Sequence, residues 1–185
     1  WNTGYLSGSI STSPVFNRFF DLTNRLNASL DFFEKQHKQN HTLTLRQDII
    51  SSNLLFIDVL YSSAIVNLLS ELIGPNFFFT NVKHYLSLGK VPQLKWHRDT
   101  YRRGKHIVGN APQVIKVAIY SSDVCLDSAC MQIIPKSHRL TLDSYMFDLL
   151  LPFFSYKHNI IGPAGSFVIF DTSLLHRRKS CVLSN

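Results

Sequence analysis

At Gly74-Pro75-Asn76 the hydrophobic period of this chain changes, and that change limits the folds open to it. Ahead of it, apolar residues recur at helical spacing. Phe16, Phe19, Phe20, Leu26, Leu30 and Phe33 mark a helix over about 15–38, with Ser13-Pro14 as its start. Ile65, Leu68, Leu69, Leu72 and Ile73 line one face of a second helix over 60–73, which Gly74 and Pro75 terminate. Beyond it come short runs of aromatic and β-branched residues separated by turn residues. The runs 77–86, 114–120, 129–134 and 166–171 read as strands, as does the segment around His97. Residues 1–13 are rich in Gly, Ser and Thr and read as an irregular lead-in, 39–44 as a polar loop, and 140–154 as an apolar insertion whose type, helix or otherwise, the pattern leaves open.

Helices followed by a run of short strands give an α+β class. Strands of this kind suit a double-stranded β-helix, the jelly-roll architecture of the cupins, with a helical lead-in over about 1–75 packed against a β core over about 76–185. No repeat, low-complexity tract or linker divides the 185 residues, a length one core can serve, so a single domain is expected.

The chemistry concentrates in 93–100, Gln-Leu-Lys-Trp-His-Arg-Asp-Thr. His97 and Asp99 stand two residues apart in an extended segment, which turns both side chains to one face. They can grip one ion together. Alone, such a pair is more often a hydrogen-bonded surface pair. The best third ligand is His176, which follows the strand-like run 166–171. Alone it would read as a buried histidine satisfied by backbone groups. Together the three make two imidazoles and one carboxylate, the facial triad of non-haem Fe(II) oxygenases, with the remaining metal positions open.

The charge is +7, from 19 Lys and Arg against 12 Asp and Glu. Arg98, Arg102, Arg103, Lys105 and His106 form one cluster and Arg177, Arg178 and Lys179 another, both beside the proposed ligands. A basic rim around a site for an anionic co-substrate or substrate accounts for them as well as nucleic acid does. No nucleic-acid motif is present, so that reading ranks last. The basic, Gly-containing segment 102–112 reads as a loop serving as a lid or entry segment to the site. Three cysteines, Cys125, Cys130 and Cys181, make no disulfide framework and favour a reducing compartment, the cytoplasm. No stretch is apolar for long enough to span a bilayer. The chain begins at Trp1 rather than Met, which marks a processed product or a fragment.

Four blocks now carry a resemblance. Trp96-His97-Arg98-Asp99, then Val117-Ala118-Ile119-Tyr120-Ser121-Ser122-Asp123, then 131–138 ending in Pro135-Lys136-Ser137-His138, then 165–171 with Leu175-His176-Arg177, resemble in order and spacing the phytanoyl-CoA dioxygenase family over about 60–179. The resemblance implies a double-stranded β-helix that uses Fe(II), 2-oxoglutarate and O₂. It implies hydroxylation of a small or lipid-like molecule, coupled to decarboxylation of 2-oxoglutarate to succinate. His97, Asp99 and His176 would be the iron ligands. Related halogenases lack the carboxylate, so Asp99 argues for oxygenation.

The chain departs from the family twice. Its loop normally reads Pro-Gly-Ser-His; here Lys136 takes the Gly position, so a special backbone angle there should be absent or strained. The family also places an arginine about one strand beyond the distal histidine, for the far carboxylate of 2-oxoglutarate. This chain ends at Asn185, near or before that point, so either it is truncated or another cation serves. Lys116 is the first substitute and Arg178 the second. Trp96, Tyr85, Tyr101 and Arg103 are candidates for the substrate side, and His138 for holding its turn. The rival reading is a relative that keeps the fold, has lost the co-substrate site and serves as a binding or interaction module.

Overall fold

The computed structural model describes residues 2–10, 14–35, 42–46, 54–80, 82–87, 93–100, 114–140 and 145–180. In order, the elements are β1 (Tyr5–Ser9), α1 (Pro14–Lys35), β2 (Thr42–Arg46), α2 (Leu55–Leu60), α3 (Ser63–Ile73), β3 (His84–Ser87), β4 (Ile115–Ile119) and β5 (Met131–Ile133). A 3₁₀ turn (Ser137–Arg139), α4 (Tyr145–Phe154), β6 (His158–Ile160), β7 (Ser166–Asp171) and β8 (His176–Arg178) follow. Among the described residues every strand pairing is antiparallel: sheets β1-β7-β4 and β6-β5-β8 of three strands, and the two-stranded β2-β3.

β7 is the centre of the packing. Every residue of Ser-Phe-Val-Ile-Phe-Asp is buried, because both faces of the strand are covered. Phe167 and Ile169 join Phe16 and Phe19 of α1, Phe56 and Val59 of α2, and Ile65 and Leu69 of α3 in one cluster. Val168 and Phe170 point the other way and meet Ile133 of β5, Ile160 of β6 and Leu174. The result is three layers: helices, sheet, sheet. Each fully buried Leu, Ile or Phe contributes about 1.5–3 kcal/mol. β4 follows the same alternation, with Ile115, Val117 and Ile119 against the helices and Ala118 among the residues between the sheets. Lys116 therefore shares the inward face with Ala118.

The helix and strand expectations hold over most of the chain, and the differences have local causes. The lead-in is not irregular: Tyr5–Ser9 pairs along the whole of β7, from Tyr5 opposite Phe170 to Ser9 opposite Ser166. The second helix is two helices, because Ser62 leaves helical geometry at ψ 139° to cap α3. Gly74 ends α3 as expected, at φ +87°, with its N–H on Ser70 O. The expected strand 77–86 shrinks to β3; Phe77 and Phe79 instead pack edge to face at 5.9 Å against the helical core. Thr42–Arg46, partly within the expected loop, is a strand that pairs with β3. The segment holding His97 is no full strand but a single antiparallel bridge to β8. The lid expected over 102–112, with Tyr101, Arg103 and Cys181, lies outside the described residues.

Candidate metal centre

Residues 94–99 run along the edge of β8 that β5 leaves free. Leu94 N–H donates to Arg178 O, His97 and His176 exchange two backbone hydrogen bonds of 3.0 Å each, and Asp99 N–H donates to Thr172 O. That pairing sets the two histidines side by side, ring centroids 4.4 Å apart. Alternation then returns Asp99 to the same face. Thr100 extends the seam: its hydroxyl meets Thr172 Oγ1 at 2.7 Å, and Thr172 in turn donates to Val114 O.

The three expected ligands meet. One ligand atom from each of His97, Asp99 and His176 can be chosen so that all lie within 4.8 Å of one another. His176 Nε2 is 3.4 Å from Asp99 Oδ2. Each imidazole uses its other nitrogen on the backbone: His97 Nδ1 lies 2.9 Å from Lys95 O and His176 Nδ1 2.8 Å from Leu174 O. A carbonyl only accepts, so Nδ1 carries the proton and Nε2 is left with its lone pair, the tautomer a metal requires. Burial is the main force holding the His176 pKa down; the Leu174 hydrogen bond opposes it and the His97 charge adds to it. His176 is thus kept neutral. Phe170 closes one side of it, edge to face at 5.0 Å. The donor set of two neutral imidazoles and one carboxylate fits a divalent first-row metal.

The expected co-substrate cations also lie near. Lys116 Nζ is 2.7 Å from Asp99 Oδ2, with its side chain half exposed. Arg178 stands opposite Met131 as His176 stands opposite Ile133, so both share the face turned between the sheets. Burial lowers the Arg178 pKa. Among the described residues, the other basic side chains of the two clusters are turned to other partners. Arg177 lies on the outward face, its guanidinium 4.5 Å over the Trp96 ring and Nε donating to Gln132 Oε1, whose amide donates to Asn159. Trp96 thus spends one face on Arg177. Lys179 donates to Leu126 O. Arg98 is no rim cation at all; it is buried and ion-paired with Asp148 at 2.7 Å.

Two loop details bear on the centre. Lys136 does adopt the left-handed geometry, at φ +66°, so the family's glycine angle is kept under strain. His138 is buried beside Gly4, whose φ of +83° and lack of a side chain let β1 begin against the imidazole ring. Sequence reading missed Asp148. Its signal was there: it is the only charge in the apolar run Tyr145–Phe154.

Solved structures of the same fold agree with this architecture. AviO1 from Streptomyces viridochromogenes superposes with a TM-score of 0.67 at 17% identity, over 100% of this chain and 85% of that one. EctD from S. alaskensis with bound Fe gives 0.71 at 14% identity, over 98% of this chain and 68% of that one. HygX from Streptomyces hygroscopicus, with nickel and 2-oxoglutarate bound, gives 0.67 at 10% identity, over 100% and 79%. No curated protein sequence matches this chain. The pattern of one family, phytanoyl-CoA dioxygenase (PhyH), matches residues 19–178, a span that contains both arms of the triad, and the chain belongs to that family.

Proposed function

We propose that this chain is an Fe(II)/2-oxoglutarate-dependent dioxygenase that hydroxylates a small-molecule or lipid-like substrate, with His97, Asp99 and His176 as its iron ligands. The observation that carries the reading is the meeting of these three side chains, both imidazoles presenting Nε2. The same reading takes the two stacked sheets as a double-stranded β-helix, within one domain over 1–185. Iron and the keto acid, when bound, supply the oxidising chemistry.

The chain's own residues do the rest. The backbone pairs between His97 and His176 fix the ligand spacing before any metal arrives, which limits reorganisation on binding. Lys116 holds Asp99 in place and offers its remaining charge to an anionic co-substrate. Arg178, inward-facing and desolvated, offers a planar fork to a carboxylate. Phe170 and the inter-sheet cluster keep water from the inner side of His176. The substrate then approaches from the side where Asp99 is a quarter exposed, 25% at the side chain.

A substrate-binding module without catalysis is the second reading, and one observation favours it: Lys116 satisfies the Asp99 carboxylate with an internal cation. The two separate by succinate formation from 2-oxoglutarate in the presence of Fe(II), ascorbate and O₂. Slow succinate release without added substrate, lost in Asp99→Ala, supports the dioxygenase. Iron-independent background only, equal in both proteins, contradicts it. No helix among the described residues is long and apolar enough to cross a membrane. The reducing compartment favoured by the three cysteines, the cytoplasm, is part of the same proposal.

A further inference from the structure

α4 buries an unexpected residue for a helix of its composition. Asp148 is its one charged side chain, yet Asp148 is buried while Met146, Leu149, Leu150, Phe153 and Phe154 are exposed. Among the described residues, no member of α4 belongs to either core cluster. What meets Asp148 is Arg98, through Nε at 3.0 and 2.8 Å to the two carboxylate oxygens and Nη2 at 2.7 Å. A buried ion pair is a poor means of stabilising a fold, since an apolar pair of similar volume usually does as well or better. Its role is better sought in what it connects.

Arg98 is the residue between two ligands. In an extended segment its side chain leaves on the side opposite to His97 and Asp99. On that side Nη1 donates to Ser137 O at 2.8 Å and also to Ser173 O. Ser173 lies in the turn that delivers His176, one residue before the Leu174 carbonyl that holds His176 Nδ1. Ser137 reinforces the same turn, its hydroxyl accepting from Leu175 N–H at 2.8 Å. One guanidinium therefore has His97 and Asp99 on its own backbone and the His176 turn on its Nη1. Asp148 occupies Nε and Nη2, which leaves Nη1 aimed at the carbonyls. A planar fork can serve three directions at once; a lysine ammonium on a flexible stem cannot hold that geometry.

We propose that Arg98, oriented by Asp148, is a positioning residue that sets the placement of His97 and Asp99 against His176, and with it the affinity and geometry of the metal site. The inference rests on the metal reading above, and Co(II), with its geometry-sensitive visible bands, is the probe. Arg98→Met with Asp148→Leu removes both charges together, so none is left buried alone. The double variant should fold, by near-ultraviolet circular dichroism, and bind Co(II) about 10- to 100-fold more weakly, with altered bands. Arg98→Lys keeps the charge and should not restore the affinity.

A folded double variant with wild-type affinity and bands overturns the proposal and leaves the metal reading intact. Should that variant not fold, Asp148→Asn decides: weaker binding with shifted bands supports the proposal, and unchanged binding overturns it. Wild-type protein that takes up no Co(II) contradicts the metal reading itself and this inference with it.

Discussion

His176 Nε2 stands 3.4 Å from Asp99 Oδ2, and the backbone pair between His97 and His176 keeps it there. The two core clusters lie outside this trio, so fold and metal should be separable. Removing metal with a chelator is expected to abolish succinate formation and leave the far-ultraviolet circular dichroism unchanged. His176→Ala and Asp99→Ala should do the same. Loss of secondary structure on chelation would show instead that the metal holds the sheets together.

On the proposed reading, Lys116 and Arg178 share the binding of the anionic co-substrate. With a half-exposed side chain, Lys116 is not part of the core, and Lys116→Met should leave the thermal transition in place. Its 2-oxoglutarate KM should rise about tenfold, as for loss of one exposed charge-assisted hydrogen bond. Arg178→Met, at a desolvated position, should raise it by about tenfold or more. Steady-state kinetics with 2-oxoglutarate as the varied substrate checks both. Unchanged KM in both variants would place the co-substrate cation elsewhere.

Tyr120 gives the fold an alkaline limit. Burial pushes its pKa up to about 12; the Met131 backbone hydrogen bond works against this and the nearby Cys130 thiolate adds to it. The unfolded chain ionises this phenol near 10 and the folded chain does not. The stabilisation is therefore complete below pH 10 and is lost as pH rises from 10 towards 12, by about 2–3 kcal/mol. Tyr120→Phe should flatten that part of the stability profile, read by urea unfolding between pH 9 and about 11.5.

Lys136 holds a backbone angle that suits glycine, φ +66°, at an exposed position. Lys136→Gly should therefore stabilise the protein by up to about 1 kcal/mol, the relief of strain exceeding the extra chain entropy lost on folding. A raised thermal midpoint checks it. A lowered one would mean that the lysine side chain makes contacts worth more than the strain.

The triad was legible because its parts are local. His97 and Asp99 sit at strand spacing, and the short aromatic and β-branched run before His176 reads as a strand. α1 and α3 were legible from their apolar faces, which Phe16, Phe19, Ile65 and Leu69 do bury. β1 was not, since Tyr-Leu-Ser-Gly-Ser has no clear alternation; the free edge of β7 recruits it through backbone bonds that any sequence can make. Gly8, with the Phe167 ring against it, shows why a small residue serves there. Arg98 was read as a rim charge because it opens a basic cluster with Arg102, Arg103 and Lys105, and its acidic neighbour Asp99 was assigned to the metal. Its partner Asp148 comes from α4, and only the fold brings them together. Phe77 and Phe79 looked like strand residues because aromatic composition does not separate a strand from an irregular segment capping a helical core.

The most direct measurement is anaerobic addition of Fe(II) and then 2-oxoglutarate, watched for the weak visible charge-transfer band of a keto acid chelated to iron, with His97→Ala as control. The expected result is a band in the wild-type protein that is absent from the variant. Wild-type protein that binds no iron, or that shows the same spectrum as His97→Ala, would contradict the assignment of His97, Asp99 and His176 as a working iron site.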